Sequence, residues 1–143
     1  MLGLFEGAAS FDQPIDDWDT SSVTTMLGLF YGAAHFNKPI GDWDTSSVTN
    51  MDSLFGVETT VRGRYNGAAR FDQPIGDSDT SSVTSMYGLF SVAASFRHNV
   101  SSWDVSAVTN MGGMFGGAYT LSCPARWCQP DFIRRIQHQC TPC

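Results

Sequence analysis

A near-copy of one segment recurs along the chain, and this recurrence constrains the fold more than any other feature. The stretch His35 to Met51 reads HFNKPIGDWDTSSVTNM, with counterparts at Phe11–Met26, Phe71–Met86 and Phe96–Met111. Phe11 to Phe36 is 25 residues, as is Phe71 to Phe96, and Phe36 to Phe71 is 35. The longer interval is one period plus an insertion of ten. A fixed period of this length predicts stacked units, each burying its apolar face only against its neighbours.

The 143 residues divide accordingly. Residues 1–121 are expected to form the repeat unit. It comprises a partial coil at 1–10, then coils at 11–35, 36–70, 71–95 and 96–120, with the insertion at 56–65. Residues 122–143 are expected to form a cysteine-rich C-terminal cap, in which Phe132, Ile133 and Ile136 would line one face of a short helix started by Pro130-Asp131. Within each coil, Phe-x-x-Pro-Ile-x-x-Trp suggests a short extended segment, with a proline that removes one ladder donor. The second half, Val48, Met51, Leu54 and Phe55 in coil two, places apolar residues at i, i+3 and i+6/i+7, which is helical spacing. Asp44-Thr-Ser-Ser47 precedes it and suits a helix N-cap. The expected fold is therefore an α/β repeat solenoid, with one short strand and one short helix per coil. Phe, Ile, Trp, Val, Met and Leu would form its inward ladders.

Composition narrows the function. Net charge is −6, and Asp outnumbers Glu twelve to two. Asp favours turns and caps, so the acidity is turn chemistry. One Lys and seven scattered Arg leave no basic stripe for nucleic acid. No apolar run approaches the ~20 residues of a membrane span. Met1-Leu-Gly-Leu-Phe5 aligns with Met26-Leu-Gly-Leu-Phe30, so Met1 is expected to be a repeat-internal residue, with a leader lost along with a missing N-terminus. No nucleophile elbow, phosphate loop or His-rich metal pattern occurs, and the chain is expected not to be an enzyme or to use a cofactor.

FNKPIGDWDTSSVTNM, followed by Leu-Phe and Gly-Ala-Ala, resembles the BspA-like surface-protein repeat, a divergent relative of leucine-rich repeats. The resemblance runs from Met1 to Leu121. It implies LRR-like coils, an extracellular or cell-surface location, and adhesion or binding of a protein or cell-surface ligand. The cysteine tail lies outside it.

Four features remain open to chemistry. Asp19, Asp44, Asp79 and Asp104 stack into one row, and four carboxylates could bind calcium. Capping of the following Thr-Ser-Ser amides is favoured over that reading. The runner-up function is accordingly a calcium-stabilised structural repeat protein, and a third is a truncated product of a larger one. Rows of Thr and Ser are expected to hydrogen-bond the backbone. Trp18, Trp43 and Trp103 share one position that Ser78 vacates, and Val61 or Tyr65 of the insertion is expected to cover the gap. Arg62, Arg64 and Tyr65 make that insertion a candidate partner-binding loop. Cys123, Cys128, Cys140 and Cys143 suit two disulfides, with zinc ligation as the rival. The bare first coil predicts self-association.

Overall fold

The computed structural model describes residues 1–56 and 68–118. Successive repeats lie on one another in parallel register. Thr25 bridges Asn50, Asn50 bridges Ser85, and Ser85 bridges Asn110. The steps are 25, 35 and 25 residues, so the long interval leaves the register intact.

The expected strand and helix in each coil do not form. Among the described residues there is no helix, and strand pairing is reduced to those isolated bridges. The α/β, LRR-like solenoid is thus overturned in favour of stacked layers built from tight turns. The hydrogen bonds give the reason. In the Met26–Phe36 segment, the amides of Leu29, Tyr31 and Ala33 close turns onto the carbonyls of Met26, Gly28 and Phe30. The intervening amides of Met26, Gly28 and Phe30 leave the segment and donate to Asn50, Asp52 and Leu54 of the next layer. An α-helix needs every amide for its own i−4 carbonyl. Here alternate amides belong to the neighbouring layer. Gly28 and Gly32, at φ of +61° and +72°, put left-handed residues where a helix would continue. The i, i+3 spacing thus arises from consecutive turns.

The Phe-x-x-Pro-Ile-x-x-Trp half is irregular backbone. Its Trp closes a turn onto the Ile, as Trp43 N does on Ile40 O at 3.3 Å. The indoles of Trp43 and Trp103 each donate to the Ile carbonyl one layer back, Ile15 and Ile75, at 3.0 Å.

The core is the interior of the stack. Phe36, Val48, Phe55, Phe71, Val83, Phe90 and Phe96 are fully buried. Two phenylalanine files run through it. Phe30, Phe55, Phe90 and Phe115 stack at 5.7 to 5.8 Å, and Phe36, Phe71 and Phe96 at 5.9 to 6.0 Å. The files also touch within each layer, as Phe55 and Phe71 do at 4.0 Å. Each such ring contributes roughly 1.5–3 kcal/mol by burial, which offsets the entropy of ordering backbone that no helix or sheet holds.

Candidate interaction surface

Most residues that define the repeat are engaged in holding the layers. Thr20, Thr45 and Thr80 are buried, and their hydroxyls donate to the carbonyls of Asp44, Asp79 and Asp104 in the next layer. The hydroxyls of Thr49, Thr84 and Thr109 donate backwards, to Thr24, Thr49 and Thr84. Both rows are layer-to-layer fasteners.

The four aspartates sit on the exposed edge, each serving its own turn. Asp44 Oδ1 accepts from the Ser46 amide at 3.0 Å and the Ser46 hydroxyl at 2.6 Å. Asp19 does the same with Ser21. Asp79 accepts from the Ser81 amide at 2.9 Å, and Asp104 from the Ser106 amide at 2.8 Å. The serine hydroxyls, and next the serine amides, hold Asp19 and Asp44 below the usual carboxylate range. For Asp79 the Ser81 amide leads. The carboxylate one layer away opposes the effect at Asp44, as do those on both sides at Asp79, without cancelling it. What these residues cap is a tight turn, Val23 N to Thr20 O in the first layer, rather than the expected helix. Among the described residues, no group of three or more His, Cys, Asp or Glu side chains is arranged to hold a metal ion. The insertion residues Val61, Arg62, Arg64 and Tyr65, and Cys123, Cys128, Cys140 and Cys143, lie outside the described residues.

The side chains that remain for a partner lie elsewhere. The position after each repeat methionine holds Leu2, Leu27, Asp52, Tyr87 and Gly112; it is exposed at Leu2, Leu27 and Tyr87, half-buried at Asp52 and buried at Gly112. Leu2 is 71% exposed, Leu27 39% and Tyr87 52%. Their backbone is fixed from both sides. Gly3 N donates to Leu27 O, and Gly28 N to Asp52 O. Asn50 and Asn110 accept from the amides two residues on, Asp52 and Gly112. In the third layer Asp52 reaches across instead, and its Oδ1 accepts from the Tyr87 amide at 2.8 Å and from the Ser85 hydroxyl. This row is absent from the sequence-based expectations because aromatic and aliphatic residues next to a core methionine resemble core. Its signal was variability: five layers carry four residue types at one position.

A second edge is charged. Lys38 pairs with Asp12 at 3.0 Å, and Arg97 with Asp72 at 2.9 Å. The Lys38 ammonium, then the Asn37 amide, hold Asp12 below its ordinary range. His98 Nε2 lies 3.0 Å from the Asp72 carbonyl oxygen. Asp12, Asn37 and Asp72 each accept from the amide of the next layer's equivalent residue. This edge therefore closes layers too.

A stack of turn-built repeats with an outward row of varied residues defines the class. Two matches, at residues 1–62 and 56–129, place the chain in a family described as Mycoplasma protein of unknown function, DUF285. The chain belongs to this family. No curated protein and no solved structure matches it significantly. Among the described residues, no helix is long and apolar enough to cross a membrane.

Proposed function

We propose that the chain is a non-catalytic interaction or adhesion module of a secreted or surface-attached repeat protein. The outward row carries this reading: Leu2, Leu27 and Tyr87 expose large apolar side chains on rigidly held backbone. Singly exposed apolar residues are common, but three at one repeat position, Leu2 and Leu27 in successive layers and Tyr87 beyond Asp52, favour a protein partner. The resemblance of the repeat to BspA-like surface proteins supports the location and a protein or cell-surface ligand.

The test compares the wild-type chain with a Leu27→Asp/Tyr87→Asp variant, both displayed on beads. Retention of the wild type on cultured cells, and its loss in a variant with an unchanged melting curve, is the expected result. Equal retention of the two, or none by either, would overturn the proposal.

A further inference from the structure

The fourth layer departs from the repeat at one exposed residue. Pro14, Pro39 and Pro74 hold an exposed position just before the buried Ile in the first three layers. Asn99 holds it in the fourth, before Val100, and is likewise exposed. Val100 is buried, so the layer keeps its register while the proline gives way to an amide side chain. With Ser101 the exchange creates Asn-Val-Ser, an Asn-x-Ser/Thr triplet in which x is not proline. Asn37, Asn50, Asn66 and Asn110 are followed two residues on by Pro39, Asp52, Ala68 and Gly112, so the triplet occurs once in the chain. It is the acceptor sequence for N-linked glycosylation.

The structure supplies what a bare triplet does not. A glycan needs a side chain that reaches solvent and whose modification breaks no contact between layers. Asn37 fails that condition, because it is half-buried and its Oδ1 accepts the Asp72 amide of the next layer. Asn50 fails it too, half-buried where it bridges Thr25 on one side and Ser85 on the other. Asn99 is exposed, and its Oδ1 accepts the Ser101 amide of its own turn at 2.8 Å. That bond uses the side-chain oxygen. N-glycosylation substitutes the nitrogen, Nδ2, and leaves the oxygen an amide acceptor, so the turn survives the modification. Val100, 3% exposed, anchors the same turn to the core from within the triplet.

We propose that Asn99 is a site of N-linked glycosylation, with a lipid-linked oligosaccharide diphosphate as the sugar donor. Asn99 Nδ2 forms a bond to the anomeric carbon of the first sugar. The bond from that carbon to the diphosphate oxygen breaks, the lipid diphosphate leaves with the electron pair, and the amide nitrogen gives up one proton. The inference rests on the secreted or surface-attached reading, because this modification reaches chains that enter the secretory pathway.

The test expresses the full chain in cultured animal cells behind an added secretory leader, which delivers it to the lumen whatever its native location. Failure here therefore counts against the site alone, and the location of the native chain tests the secreted reading separately. Intact mass is read on the total chain, from cells and medium together, before and after peptide N-glycosidase treatment. The wild type is expected to carry the mass of one glycan, which the enzyme removes. Asn99→Gln and Ser101→Ala should each lose that increment, and Ser101→Thr, which keeps the hydroxyl, should retain it. A wild type without the increment overturns the proposal, as does an increment that persists in Asn99→Gln or Ser101→Ala or disappears in Ser101→Thr.

Discussion

The hydroxyl of Thr45 donates to the carbonyl of Asp79 at 2.8 Å, joining residues 34 apart across the longest interval between repeats. The same bond links Thr20 to Asp44 and Thr80 to Asp104. In the fourth layer Val105 takes the threonine's place. Thr45→Val keeps the side-chain shape and removes the donor, leaving a carbonyl short of its partner. The expected loss is about 1–3 kcal/mol, read as a lower urea midpoint with an unchanged slope. A loss near zero would mean that the bond contributes nothing net.

Val92 occupies a position that glycine holds elsewhere. Its φ is +61°, where Gly7, Gly32 and Gly117 sit at +71°, +72° and +70°. A Cβ in this region costs roughly 1–2 kcal/mol, and a β-branched one is least tolerated. Glycine's extra freedom when unfolded returns about 0.5–1 kcal/mol of that. Val92→Gly should therefore raise stability, by about 0.5 kcal/mol, and Gly32→Val should lower it by about 0.5–1 kcal/mol through the same two effects. Parallel denaturation curves check both signs, and a destabilised Val92→Gly would show that side-chain packing outweighs the backbone conformation.

Acid should weaken the stack through Asp19, Asp44 and Asp79. Their carboxyls are held below the usual range when folded, by the serine two residues on. A group depressed on folding stabilises fully above its unfolded value, near pH 4. That stabilisation fades as pH falls through the folded value. Replacing all three with Asn keeps an acceptor oxygen but removes the titration. The wild-type midpoint should fall more steeply than the variant's between pH 5 and roughly pH 2. Identical acid limbs would rule out these groups as the cause.

The core was legible because each layer repeats it. Phe36, Ile40, Trp43, Val48 and Met51 have equivalents at fixed spacing, and a ladder of large apolar residues at one position has few places to go but inside. Backbone class was not legible from the same residues. Consecutive three-residue turns and a helix both return apolar side chains at i and i+3. What separates them is where the amides of Met26, Gly28 and Phe30 donate, and their acceptors stand 24 residues away in the next layer. Gly28 and Gly32 held the local hint. The capping aspartates were read with the right partners but placed at the start of the wrong element. The outward position of Tyr87 stayed hidden because its neighbour Met86 is fully buried, and sequence alone does not say which of two adjacent apolar residues turns away.

Asp52 offers a way to connect stability with the outward row. In the second and fourth layers, Asn50 and Asn110 cap the amides of Asp52 and Gly112 from within their own layer. The third layer has Ser85 at this position, and its hydroxyl donates to Asp52 while Asp52 accepts the Tyr87 amide. Removing the carboxylate with Asp52→Ala withdraws the acceptor from three donors, the Ser85 hydroxyl, the Tyr87 amide and the Asn50 side-chain amide, and a loss of about 1–2 kcal/mol is expected. Amide exchange at Tyr87 should rise more than at Phe71, because local opening does not require opening of the core. Ser85→Asn would supply the third layer with the cap that its neighbours use. In the Asp52→Ala background it should recover most of the lost stability and return Tyr87 exchange to its wild-type rate. Recovery of neither would show that Asp52 acts on the row by some route other than this amide.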